Sequence, residues 1–306
     1  MTTNEPTEVV LFFIDDKQQQ IGNVLGIFKV VNQHVAPRDM LKMCAWSIRK
    51  RMPEARIVLL TDEHTNIHDP ADNITIVRRA DIRHDRLMYD LERLRRDYIE
   101  DYVKRGEKKH LIFTDIDILF NKSMEHVFDL EFDMATPATF YPNLQYSARG
   151  VPLQSLVSII SCGIFFVRTT PKAVTFYNDW LARMDYLAEH DDLAEYGPLA
   201  PQVKRDFLKW WGEPHTLMVM FGKQFMAGER KALDYKGVKI AILEDALYNF
   251  APDMVTVGEN KQTQMTVQDA DFRDRYMFHM RGGRKLFMVQ MAQKMGYVAP
   301  AAQTGT

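Results

Sequence analysis

Two aspartates, Asp115 and Asp117, flank one isoleucine where the apolar run Leu111-Ile112-Phe113-Thr114 gives way to Ile118-Leu119-Phe120. In extended backbone, side chains two residues apart point to the same side, so both carboxylates face one spot. Two oxygen donors on one spot suit a hard divalent cation, Mn²⁺ or Mg²⁺, that keeps several waters and binds substrate phosphates. The plain alternative is a solvated acidic pair at a strand end. Far downstream, His279-Met280-Arg281-Gly282-Gly283-Arg284-Lys285 collects a second set of suitable groups. A neutral His279 can add a nitrogen ligand to a site begun by carboxylates. Gly282 permits close backbone approach to a pyrophosphate, and Lys285 supplies a point charge on it.

These residues need elements to hold them. Val9 to Ile14 is a continuous apolar run ending in Asp15-Asp16, as a buried parallel strand does. Arg38 to Met52 has helical spacing and stops at Pro53, and Arg56 to Asp62 repeats the buried-strand pattern. Ile74 to Val77 offers a short third strand, followed by a long helix from about Asp85 to Val103. Leu87, Leu91, Leu94, Tyr98 and Tyr102 form its apolar stripe, with Arg93, Arg95 and Arg96 expected on solvated faces and Glu92 supporting Arg96. Strand and helix thus alternate through the first 120 residues, the signature of an α/β protein with a mostly parallel sheet. Ligands of such sheets gather at the carboxyl ends of the strands.

The second half is less regular. Ser158 to Arg168 reads as a buried strand interrupted by Gly163, where backbone or ligand can approach closely. Thr170-Pro171 opens a helix with Ala173, Tyr177, Leu181 and Met184 on its inner stripe. Residues 189 to 215 read as loop plus short helix, with Trp210-Trp211 expected to pack or to offer an aromatic platform. Further strands are expected at Val238 to Leu243 and Tyr276 to Met280, and residues 298 to 306 read as a disordered tail.

Composition narrows the partners. The chain has 306 residues, and its 39 Lys+Arg against 41 Asp+Glu give a net charge of -2, which lacks the electrostatic footprint of a nucleic-acid binder. Cys44 and Cys162 stand in no metal-ligand spacing, and Cys162 reads as a small buried apolar residue. The apolar runs are too short to span a bilayer and no export signal precedes the first, so the expectation is a cytoplasmic protein, with peripheral membrane contact still open.

The Asp115-Ile116-Asp117 string resembles two families. In haloacid-dehalogenase-like phosphatases the first aspartate of such a motif is a nucleophile, but there the motif follows the first strand. Here two strand-helix units precede it, and Asp191-Asp192 lacks the glycine and strand that flank the later acidic motif of those enzymes. The chain is more similar to GT-A-fold glycosyltransferases, particularly the glycogenin- and galactosyltransferase-type retaining members, over most of residues 9 to 288. Asp115-Ile116-Asp117 matches their D-x-D, Ser161-Cys162-Gly163 stands where members often have Asn-Ser-Gly or Asn-Ala-Gly, and 279–285 matches H-x-x-G-x-x-K. Leu286-Phe287 replaces the Pro-Trp that usually follows.

The resemblance implies a single GT-A-type domain with a nucleotide-binding half from 8 to 120 and an acceptor-binding half from 121 to 297. It implies a metal held by Asp115, Asp117 and His279, and a nucleotide-diphosphate sugar, UDP-linked, as donor. Asp62, Arg86, Gly163, Gly282 and Lys285 would contact that donor, Asp62 through a uracil N–H and Arg86 through ribose or phosphates. Glu213 would stand near the sugar, and Lys285 would stabilise the leaving diphosphate. The acceptor would be a hydroxyl of a glycan, a lipid-linked molecule or a small molecule, with anomeric configuration retained. A metal-dependent phosphatase with Asp115 as nucleophile and a non-catalytic nucleotide-sugar-binding protein are the remaining alternatives.

Overall fold

A computed structural model describes residues 5–14, 35–67, 73–139, 160–190, 200–226, 231–257 and 262–298. Its centre is an eight-stranded mixed sheet in the order β3-β2-β1-β4-β7-β6-β9-β8. The strands are β1 (Thr7–Phe12), β2 (Arg56–Asp62), β3 (Ile74–Arg79), β4 (His110–Thr114), β6 (Met134–Ala138), β7 (Ile164–Arg168), β8 (Ala232–Tyr235) and β9 (Val238–Glu244). The first four are parallel, β7 runs against both β4 and β6, and β9 is again parallel to β6. The strands β1, β4, β6 and β9 therefore all end on the same edge. Asp15-Asp16, expected at the end of the first strand, lie outside the described residues.

Helices cover both faces of the sheet. On one, α1 (Pro37–Arg51) buries Met40, Leu41, Cys44 and Ile48 in a core that includes Val9, Leu11, Ile57 and Leu59. Pro37 starts α1, where its missing N–H is no loss, and Met52 closes it through an N–H to the Ile48 carbonyl. On the other face lie α2 (Leu87–Arg105) and α3 (Pro171–Glu189), packed on Val10, Val58, Phe113 and Phe165. A 3₁₀ turn, His84–Arg86, precedes α2. Gly106, at φ +67°, ends α2 in the left-handed conformation that glycine adopts without Cβ strain. The Thr170 hydroxyl accepts the Ala173 N–H and Pro171 follows, the cap and first-turn pair expected from the sequence.

In the segment from 189 to 215, expected to be loop with a short helix, the described residues are mostly helical. They form α4 (Ala200–Arg205), a π-helical turn over Phe207–Trp211 and the start of α5 (Gly212–Met226). Residues 191–199 lie outside the described residues, as do the side chains of Trp210 and Trp211 and the tail from 299. Proline and acid density suggested a loop here. The apolar side chains Phe207, Leu217, Met218 and Phe221, which are all buried, draw the segment onto α2 and α3.

One break in the main sheet matters most. The run through 111–120 does not continue as one strand: β5 (Ile118–Phe120) leaves the main sheet and pairs antiparallel with β12 (Met277–His279). The Ser47 hydroxyl of α1 accepts the Phe120 N–H at 2.9 Å and fixes where β5 goes. The remaining elements are a 3₁₀ turn over Glu125–Asp129, α6 (Asp245–Tyr248), the antiparallel pair β10 (Asp253–Val257) and β11 (Gln262–Thr266), α7 (Asp269–Asp274), a 3₁₀ turn over Gly282–Phe287 and α8 (Met288–Lys294). No helix among the described residues is long and apolar enough to cross a membrane.

Candidate active site

The β4-to-β5 departure places Asp115-Ile116-Asp117 at the bend. Pairing of β5 with β12 sets His279 opposite Ile118, and the Met280 N–H donates to the Asp117 carbonyl at 2.8 Å. A histidine 162 positions downstream of Asp117 is thereby brought to it by backbone pairing alone. One ligand atom from each of Asp115, Asp117 and His279 falls within a span of 4.8 Å, the spread expected of donors converging on one cation.

The surroundings fit a metal. Asp117 and His279 are buried, and Asp117 Oδ1 has no hydrogen-bond partner although it is shielded from solvent. Such an acceptor carries the full cost of desolvation unless something fills it. His279 Nδ1 lies 2.7 Å from Asn249 Oδ1, an oxygen that can only accept, so Nδ1 carries the proton and Nε2 is left with its lone pair. Nε2 is the nitrogen that faces Asp117, 3.4 Å from Oδ1. A Cβ built on Gly163 would lie 2.6 Å from His279 Cε1, so glycine here is required by the ring.

Lys285 reaches the same group. Gly282, at φ +62°, lets the chain turn after β12 so that Lys285 Nζ comes within 3.0 Å of Asp117 Oδ2. Burial alone would raise the Asp117 pKa, but the Lys285 ammonium holds its carboxyl well below the usual carboxylate range. Asp115 moves the other way, pushed up to about 7 by burial and by the charge of Asp117. The sequence assigns Lys285 to a diphosphate alone, and the fold gives it a structural partner as well. The lysine side chain retains only 30% exposure and balances a buried carboxylate.

Asp115, Asp117 and Lys285 line a cavity of about 290 Å³ between the ends of β1 and β4, where the strand order reverses direction. Phe12 to Ile14, the start of α2, Cys162, Gly163 and Glu213 complete its wall. Cys162 is half-buried at this wall instead of sealed in the core. Asp62 and Arg86 are turned elsewhere. Asp62 Oδ1 accepts the His64 and Thr65 N–H groups at 3.1 and 2.5 Å, and its Oδ2 lies 3.5 Å from His84 Nε2. Arg86 pairs with Asp185 of α3 and stacks on Tyr89, 4.2 Å from the ring centroid.

Two functional features escaped the sequence reading. Asn249, which orients His279, sits 30 positions before it in a stretch with no periodicity. Arg95 was expected on a solvated face beside Arg93 and Arg96, yet it is 1% exposed and pairs with Glu92 and Glu213. A signal for it did exist, since Arg95 lies four residues after Leu91 and three before Tyr98, on the apolar stripe itself. Arg96 does not pair with Glu92 as expected and meets Asp97 instead.

No protein-family model matches the chain, and no curated protein does. Among solved structures, it is similar to the galactosyltransferase LgtC in complex with donor and acceptor sugar analogs, at 13% identity and TM-score 0.44, over 95% of this chain and 97% of that one. It is similar also to the bifunctional WbbM at 11% and 0.47, over 97% of this chain and 51% of that one. For the glycosyltransferase GlyE of Streptococcus pneumoniae TIGR4 the values are 12% and 0.43, over 81% and 47%. These structural neighbours are glycosyltransferases. The likeness is one of overall arrangement, so the chemistry is read from the side chains.

Proposed function

We propose that the protein transfers a sugar from a nucleotide-diphosphate donor, UDP-linked, to a hydroxyl acceptor, using the GT-A-type arrangement its motifs resemble. The observation that carries this reading is the convergence of Asp115, Asp117 and His279 on one spot, with Asp115, Asp117 and Lys285 lining a cavity at the strand ends. A divalent ion held by the two carboxylates and His279 Nε2 would supply Lewis-acid neutralisation of the diphosphate as it leaves. Lys285 adds a cation on the same leaving group, and Gly282 supplies the turn that carries it there. Gly163 keeps the floor under His279 open, and Glu213 bounds the cavity on the side of α5.

A second cavity of about 430 Å³ lies at the ends of β6 and β9, lined by Glu244, Asp253, Phe250, Arg281 and Arg284 among others. Carboxylates, guanidinium groups and an aromatic ring suit a polyhydroxylated acceptor, which supports a reading in which residues 121–297 bind the acceptor and residues 8–120 mainly the donor. Two free thiols are in keeping with a cytoplasmic setting.

The test is thermal stabilisation by UDP with Mn²⁺ and with EDTA, because a ligand bound only by the folded state raises stability in proportion to its affinity. UDP should stabilise the protein far more with Mn²⁺, and Asp117→Asn should erase the difference. Slow release of UDP and free sugar from the donor without acceptor is expected, with p-nitrophenyl phosphate left intact. Hydrolysis of that ester, lost in Asp115→Asn, would instead identify a phosphatase.

A further inference from the structure

Behind the cavity wall lies a buried cluster that transfer chemistry at the metal does not use. Glu92 and Arg95 stand three residues apart on α2, and Glu213 comes from the first turn of α5. One nitrogen of Arg95 serves both acids, donating to Glu92 Oε1 at 2.5 Å and to Glu213 Oε1 at 3.0 Å. Both carboxyl groups therefore converge on one nitrogen of the guanidinium. The guanidinium lies over the Phe113 and Phe165 rings, 5.7 and 5.2 Å from their centroids, which excludes water. Among the described residues, none supplies a donor to the buried Glu92 Oε2.

Two carboxylates on one guanidinium leave an uncompensated negative charge in an apolar setting, which is strongly unfavourable. Two carboxyl groups in this position resolve the problem by holding a single proton between them, as like charges in contact cannot both ionise. The orphaned Glu92 Oε2 is the acceptor that such a proton needs. Other charges nearby do not change the balance. Asp115 adds negative potential, while Tyr177 and Cys162 are held in their neutral forms by burial. Nor does the start of α5 offer an open helix terminus that would favour an anion at Glu213, since the preceding π-helical turn already takes the Gly212 N–H on the Phe207 carbonyl.

We propose that Glu92, Arg95 and Glu213 form one neutral unit around a shared proton, so that Glu213 meets the donor sugar as a positioning hydrogen-bond group and not as an anionic nucleophile or base. The role toward the sugar rests on the transferase reading above; the shared proton rests on the side-chain geometry alone. Burial and the neighbouring carboxyl push Glu213 well above the usual carboxylate range, in agreement with that geometry. An amide at either position would reproduce the unit. In Glu213→Gln the amide oxygen accepts from Arg95 and the NH₂ group donates to Glu92.

Difference infrared spectroscopy on the full chain reads the proton directly. At a pH alkaline of the Asp115 titration, the wild type should show the C=O stretch of a protonated carboxylic acid. Glu213→Gln and Glu92→Gln should each lose it, because either leaves one carboxylate balanced by one guanidinium, and Asp115→Asn should retain it. Since both glutamine variants report the same proton, failure of one to fold leaves the other as the test. Absence of the band in the wild type, or its survival in a folded glutamine variant, would overturn the shared proton whatever becomes of the transferase reading. In turnover, Glu213→Ala, which removes the positioning contact, should lose on the order of 10²-fold, and the conservative Glu213→Gln should recover most of that loss. Equal loss in both variants would show that the carboxylate itself reacts and would overturn the positioning role. A wild type that binds no UDP would instead refute the transferase reading and leave the infrared result standing.

Discussion

Gly163→Ala is the most direct probe of how the site is assembled. The added Cβ would lie 2.6 Å from His279 Cε1, whereas ordinary van der Waals contact begins at 3.4 Å, so ring or backbone must give by about 0.8 Å. Neither side is free to do so. His279 is held by its N–H on the Phe250 carbonyl at 2.8 Å and by Asn249 on Nδ1, and the Gly163 carbonyl accepts the Asp115 N–H at 3.0 Å. Overpacking of this kind costs about 1–3 kcal/mol. Displacing a ligand through its supporting shell typically weakens metal binding about 10- to 100-fold, which is about 1.4–2.7 kcal/mol and of the same size. A Mn²⁺ titration by calorimetry in the presence of UDP should therefore show a 10- to 100-fold loss of affinity, with a modest loss in denaturant stability. Because Gly163 has no left-handed φ, alanine meets no conformational penalty there, and the effect reports on space alone. Unchanged Mn²⁺ affinity in a folded Gly163→Ala protein would refute the placement of His279 as a ligand.

Other substitutions test the remaining parts. Lys285→Ala should lower turnover on the order of 10²-fold by removing a cation from the leaving group. It should also destabilise the metal-free protein by about 1–3 kcal/mol, less than the loss of a fully buried partner because Lys285 keeps partial exposure; Mn²⁺ should restore much of that, as denaturant curves with and without the ion will show. Asn249→Ala should lower Mn²⁺ affinity about 10-fold or more by freeing the His279 tautomer, with an unaltered titration counting against the orienting role. With its folded pKa raised to about 7, Asp115 keeps a proton that the unfolded chain has already lost, so metal-free stability should fall as pH rises from the ordinary carboxylate range to about 7. Asp115→Asn should remove that decline in pH-dependent denaturation. Paired Glu244→Gln and Asp253→Asn changes should raise the KM for acceptor while leaving donor hydrolysis unchanged, and equal effects on both would refute the division of the two cavities.

Much of the frame was written in local pattern. Apolar runs and helical stripes fixed β2 at Arg56–Asp62, the Thr170-Pro171 start of α3 and the alternation that makes the first half parallel. Asp115 and Asp117 declared themselves because their two-residue spacing on a strand end is a short-range property, and the residue types of 279–285 suited a diphosphate before any contact was known. What periodicity could not reveal is which distant segments meet. The meeting of His279 with Asp117 follows from β5 leaving the main sheet to pair with β12, and nothing in 111–120 announces that bend. Arg95 is buried because two glutamates, one of them 118 positions away, stand ready to receive it. The cost of burying a charge depends on partners that folding alone assembles, so a local reading assigns such a residue to solvent. For the same reason Gly163 read as a point of close approach, while only the folded chain shows that what approaches is the ring of His279.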